Sequence, residues 1–202
     1  MSSLLPLFPL DVVLFPGTPL PLHIFEPRYK EMIGECLAQK KPFGVIRAQP
    51  EGIAEIGCTA DIVDVIKRYP DGRLDIATEG RERFEVLHVN QERDFLQAEV
   101  LVFTDEPGKP AKEEITRALA LHAEVAALAG APHDAPAVDD STLSFHLAAS
   151  LPLDPDFKQK LLELRSEALR ITSFIAYLES ILPSLKRAIH TRQKAGGNGH
   201  GR

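Results

Sequence analysis

Prolines set inside strand-like runs constrain this chain more than any other feature. Leu5-Pro6-Leu7-Phe8 and Leu20-Pro21-Leu22-His23-Ile24 alternate their side chains as strands do, yet each carries a residue with no N–H to give to a ladder. Runs of this kind are predicted at sheet edges or barrel rims. Between them, Phe15-Pro16-Gly17 reads as a turn, with Pro presetting φ and Gly supplying freedom at the next position. A helix is predicted to open at Pro27 and to run through Tyr29, Met32, Ile33, Cys36 and Leu37. That spacing puts Cys36 on the buried stripe.

The rest of the first half also reads as strands. Phe43-Gly44-Val45-Ile46 is a short buried run. Ile56 to Tyr69 is a long strand whose alternation shifts once, as a bulge would cause. Tyr69-Pro70-Asp71-Gly72-Arg73 is a hairpin turn, from which Leu74 to Thr78 returns. Gly80 allows a sharp bend, and Arg83 to Val89 and Phe95 to Phe103 supply two more strands. About six strands with one inserted helix predict a small closed or nearly closed barrel, with Leu22, Ile24, Val45, Ile62 and Ile76 in its core.

Near Thr104 the character changes. Asp105-Glu106-Pro107-Gly108-Lys109-Pro110 is a linker by composition, and Ala111 to Ala129 is a helix stopped by Gly130-Ala131-Pro132. Residues 133–138 read as a loop, after which Asp139 and Asp140 can cap a short helix through Leu143 and Leu147. Asp154-Pro155 starts another helix, and a final one carrying Leu169, Phe174 and Leu178 should end or kink at Pro183. The predicted organisation is therefore α+β. It consists of a β-barrel subdomain over 1–104, a helical subdomain over 105–194 and a disordered tail over 195–202.

The chemistry is sparse. The chain has no phosphate-cradling Gly-rich loop, no nucleophile elbow and no paired-histidine zinc helix. His133-Asp134 with Asp139-Asp140 is the only His/Asp cluster, and it falls in a predicted loop. Cys36 and Cys58 stand outside any metal-ligand or redox spacing. His122 reads as a satisfied core-edge histidine. No catalytic residue, metal site or cofactor is expected. The net charge is −6, and residues 1–103 hold eleven basic against sixteen acidic residues, which disfavours nucleic acid. A cluster of Arg68, Arg73, Arg81 and Arg83 on one face would reopen an RNA-binding reading. Five cations without an acid from Lys186 onward read as a solvated basic end. No apolar run reaches the length of a membrane span, and the start lacks signal-peptide features, so a soluble, cytoplasmic protein is expected.

The order of segments adds a family. Leu5-Pro6-Leu7-Phe8-Pro9-Leu10, Val13-Leu14-Phe15-Pro16-Gly17 and Leu20-Pro21-Leu22-His23-Ile24-Phe25-Glu26-Pro27-Arg28-Tyr29 resemble the opening of the Lon protease amino-terminal, substrate-binding domain family. The resemblance continues through Ile56-Gly57-Cys58-Thr59-Ala60, Asp71-Gly72-Arg73-Leu74 and Arg83-Phe84, and then through Leu151-Pro152-Leu153 and residues 158–163. It implies a PUA-like β pseudo-barrel followed by a small helical bundle. It also implies a non-enzymatic module, without the ATPase and protease domains, that binds unfolded polypeptide or a partner protein, as an adaptor in protein quality control. The oligomeric state is left open. The contact residues expected are Phe8, Phe15, Phe25, Glu26, Arg28 and Tyr29, on the proline-rich segment along whose edge an extended peptide could add. An RNA-binding PUA-like protein and a cryptic hydrolase built on His133/Asp134 or Cys58 are the alternatives.

Overall fold

Because the prolines remove donors on chosen sides only, the sheet can close around them. The computed structural model describes residues 4–131 and 141–197. In chain order the elements are β1 (Leu5–Leu10), β2 (Pro19–Ile24), α1 (Pro27–Gln39), β3 (Phe43–Gln49), β4 (Gly52–Ile53), β5 (Ile56–Arg68), β6 (Leu74–Asn90), β7 (Gln97–Phe103), α2 (Lys112–Ala129), α3 (Leu143–Ser150), α4 (Pro155–Glu163) and α5 (Glu167–Gly197). They fall into two compact units, Met1–Asp105 with Asp154–Glu163, and Glu106–Leu153 with Leu164–Arg202.

In the first unit the strand order runs β1-β7-β6-β5-β3, and β3 pairs back onto β1 in parallel, so five strands close a ring. The short strand β4 adds to β3, and β2 attaches to β6 outside the ring. β1 is thus no edge, contrary to the expectation from its prolines. It pairs with β7 at Leu5 and Pro6 and with β3 from Leu7 to Leu10. Leu7 N–H donates to Leu96 of the β7 side. Alternation then turns the nitrogen of Pro6 toward β3 before that pairing begins, and that of Pro9 toward β7 after that pairing has ended. Neither proline costs a bond.

β6 is one strand of 17 residues, where two had been expected. Gly80 does not interrupt it but lets it pass from β2, paired through Leu74–Glu79, to β7, paired from Arg83. The turn at Phe15-Pro16-Gly17 presses on that point: a Cβ on residue 80 would stand 2.2 Å from the Phe15 carbonyl oxygen. Ile24, Val45 and Ile76 are buried with Phe8, Tyr29, Met32 and Ile33, and Leu22 and Ile62 pack partly buried against them.

Helix α4, expected in the helical half, belongs with the sheet. Gln159 Nε2 donates to the Ile56 carbonyl at 3.0 Å, Arg47 pairs with Asp156 at 2.5 Å, and buried Arg83 donates to the Leu162 carbonyl at 2.8 Å. Helical spacing shows that such a segment is a helix, but these partners lie about a hundred residues away in sequence.

In the second unit α2 and α5 pack together, tied by Arg117–Glu179 at 2.7 Å and Lys186–Glu124 at 2.6 Å. These pairs flank Pro183, and α5 continues through it to Gly197, so the helix does not end at the proline; residues 198–202 of the expected tail lie outside the described residues. Arg170 is fully buried and bonds Glu167, Ser144 Oγ and the carbonyls of Ser141 and Leu164. His122 is buried in the same unit, its Nε2 at 2.7 Å from Ser150 Oγ.

Candidate polypeptide-binding surface

Three of the six contact residues expected from the sequence point inward. Phe8 packs on Tyr29, with ring centroids 4.0 Å apart, and on Phe43 at 6.2 Å. Phe15 is buried beneath its own turn, where Thr18 Oγ donates to the Phe15 carbonyl at 2.8 Å. The alternating pattern marks these rings as large and apolar but does not say which side of the barrel wall they face. The other three are at the surface. Phe25 is 59% exposed, and next to it Glu26 and Arg28 pair with each other at 2.8 Å. Arg28 also covers the Tyr29 ring at 4.6 Å.

Phe25 is the outer member of a larger cluster. β2 and β6 place His23 opposite Asp75, and β5 places Lys67 opposite the same residue, so three side chains share one outward row. His23 stacks on Phe25 at 5.9 Å and bonds Asp75 Oδ1 through Nδ1 at 2.5 Å. Tyr69 reaches Asp75 from the hairpin turn, its hydroxyl donating at 2.8 Å. The His23 bond, and after it the Tyr69 bond, hold the Asp75 carboxyl below the usual carboxylate range. Lys67 and Arg73 lie over the Tyr69 ring at 4.5 and 4.8 Å. His23, Lys67, Tyr69 and Asp75 were not singled out as contact residues from the sequence, and Arg73 was named only as part of a possible basic face. The turn Tyr69-Pro70-Asp71-Gly72-Arg73 was the available signal, because closing it at the Tyr69 N–H···O Arg73 bond sets those two residues face to face.

The arrangement offers an exposed ring joined, through the His23 and Tyr69 rings, to two cations and a fixed carboxylate. Such a set can hold an apolar side chain together with the polar groups of a peptide. It does not assemble a nucleophile: among the described residues the His23 ring hydrogen-bonds Asp75 alone. Cys36 and Cys58 are buried, and burial pushes their thiols up to about 11 and about 12. A thiolate is thereby disfavoured at both. The His133-Asp134 and Asp139-Asp140 cluster lies outside the described residues, within which no group of His, Cys, Asp or Glu could hold a metal ion. The four arginines that could have made a basic face do not act as one set: Arg68 and Arg73 share the β5–β6 hairpin, but the other two are drawn into ion pairs of their own. Arg83 is buried against Asp105, Arg81 pairs with Asp61 and Glu79, and Arg73 pairs with Asp71. No helix among the described residues is long and apolar enough to cross a membrane.

Comparison with known proteins agrees with this architecture. Residues 4–180 match the family model of the ATP-dependent protease La (LON) substrate-binding domain. The Lon protease of Cytophaga hutchinsonii is 24% identical over an alignment covering 94% of this chain and 26% of that protein. The Lon protease of Parabacteroides distasonis is 30% identical over 56% of this chain and 15% of its own length. The chain therefore spans about a quarter or less of the curated relatives it matches. Among solved structures, a Lon N-terminal domain protein from Xanthomonas campestris superposes with a TM-score of 0.69 at 26% identity, covering 87% of this chain and 98% of that one. The N-terminal domain of a Mycobacterium avium complex Lon protease shares the fold, with a TM-score of 0.65 at 15% identity over 88% and 98% of the two chains.

Proposed function

The chain belongs to the substrate-binding domain family of ATP-dependent protease La, and from that premise we propose that it recognises polypeptide segments without catalysing a reaction on them. The observation that carries this reading is the half-exposed Phe25 ring, followed in the chain by the Glu26–Arg28 pair and stacked on His23, whose other ring neighbour, Tyr69, carries Lys67 and Arg73 on its faces. An aromatic side chain in that position adds contact area at small entropic cost, and the charged groups around it select what lies beside the apolar contact. One shallow site that must order a flexible ligand gives an affinity on the order of micromolar or weaker. Within the cytoplasm such a module would act as an adaptor in protein quality control.

Binding of a dye-labelled, reduced and carboxymethylated globular protein to the full chain, followed by anisotropy, tests the reading. Saturable binding is expected, and Phe25→Ala should weaken it by about fivefold, as loss of one partly exposed ring contact implies. Absence of binding to unfolded chains, or equal affinity for the native form of the same protein, would defeat it.

A further inference from the structure

We propose that the free edge of β5, from Asp61 to Arg68, docks an extended polypeptide segment that is aliphatic at its centre and acidic at its ends; this deepens the recognition role above and rests on it. β3 pairs with β5 only as far as Ala60, opposite Phe43. Beyond that point, among the described residues, β5 pairs with β6 alone. All of its residues from Asp61 to Arg68 carry an N–H, and the strip is about 25 Å long at the usual strand rise.

The register of this strip is unusual. β5 slips against β6 between Ile62 and Asp64 and again between Val65 and Lys67. The residues left over at the two slips are Val63 and Ile66. Bulges re-aim side chains, and these two aliphatic groups are 59% and 61% exposed, while Ile62 and Val65 pack against the core. A regular strand would have no reason to place two β-branched side chains three residues apart in water.

Charge identifies the occupant. At the Asp61 end, Lys40 and Lys41 line a cleft of about 400 Å³ together with Leu37, Ile62 and Val63. Lys40 holds φ at 51°, the left-handed region that favours glycine, and this reversal after α1 delivers both lysines to the cleft. Lys67 and Arg68 mark the other end. None of the four cations makes an ion pair among the described residues, and Asp61 is already held by Arg81 at 2.8 Å. Asp64 lies between the two aliphatic groups, so the edge runs positive, negative, positive. Acidic groups at both ends of a bound segment complement that pattern. A second copy of the chain does not, because antiparallel pairing of two β5 edges would set Lys67 and Arg68 against Lys40 and Lys41.

The test uses the full chain and two dye-labelled ten-residue peptides, both with valine and leucine at the centre, one flanked by glutamates and the other by lysines. At low ionic strength the acid-flanked peptide should bind about tenfold tighter, and the difference should collapse in high salt. Val63→Ser with Ile66→Ser should weaken that binding about tenfold and leave the unfolding midpoint unchanged. Lys67→Glu with Arg68→Glu should reverse the preference. Equal binding of the two peptides, or wild-type affinity in the double-serine variant, overturns the edge; if that variant still binds the carboxymethylated protein, the recognition role stands without it. Peptide binding without binding of the unfolded protein supports the edge and removes the broader role. A concentration-dependent dimer that the double-serine variant dissolves would assign the edge to a second copy and overturn the polypeptide occupant.

Discussion

β2 and β5 flank the same stretch of β6, and their outer edges are built in opposite ways. β2 bonds β6 over six consecutive residues, so the nitrogens of Pro19 and Pro21, on alternate positions, face its free side. That edge has lost donors where another strand would need them. The edge of β5 keeps every donor and adds bulges that present Val63 and Ile66. Proline protects one side of the sheet from further pairing, whereas the other keeps its donors and is guarded by charges and bulges alone. A peptide adding along the proline-rich segment, as its composition suggested, would meet the blunted side.

Ile76→Ala gives the largest expected effect, because this buried residue lies between Leu22 of β2 and Val65 of β5 and supports both edges. A loss of about 2–5 kcal/mol in urea unfolding is expected. An unchanged midpoint would mean that the shared core does not hold the two edges. Next is Gly80→Ala, which forces a Cβ against the Phe15 carbonyl and should cost about 1–3 kcal/mol, read from the same unfolding curves. The damage should fall on the β2 side, so hydrogen exchange should quicken at residues 18–24 before it does in the outer half of β5.

Pro21→Thr restores an N–H to the free edge of β2 and sharpens the contrast directly. Stability should change by no more than about 0.5 kcal/mol, while sedimentation velocity should show new, concentration-dependent self-association. A variant that stayed monomeric at high concentration would show that proline is not what guards this side.

The smallest effect concerns pH. Asp75 joins His23 of β2 to Tyr69 beside β5, and both bonds lower its carboxyl below the unfolded value of about 3.9. Its contribution is complete above that unfolded value and is lost as pH falls through the lower folded one. The stability difference between the wild type and Asp75→Asn should therefore be largest near neutrality and shrink in acid. A difference independent of pH would place the role of Asp75 outside its charge.

Much of this was already written in local sequence. Proline and glycine fixed the turn at Phe15-Pro16-Gly17, the start of α1 at Pro27 and the hairpin at Asp71-Gly72, because each acts through φ and a missing donor within a few residues. Apolar spacing likewise placed Ile24, Val45 and Ile76 inside. Local rules stop where partners are distant. Only the tertiary structure decided that β1 closes the ring despite Pro6 and Pro9, since the cost of a proline depends on which side its neighbour occupies. It decided that Phe8 and Phe15 turn inward while Phe25 stays out, that α4 joins the sheet, and that Pro183 is tolerated within a helix anchored on both sides. The surface cluster and the bulged edge belong to the same class. Alternation says that Val63 and Ile66 can leave the pattern, but the register against β6, set by pairing across the barrel, is what turns them to the solvent.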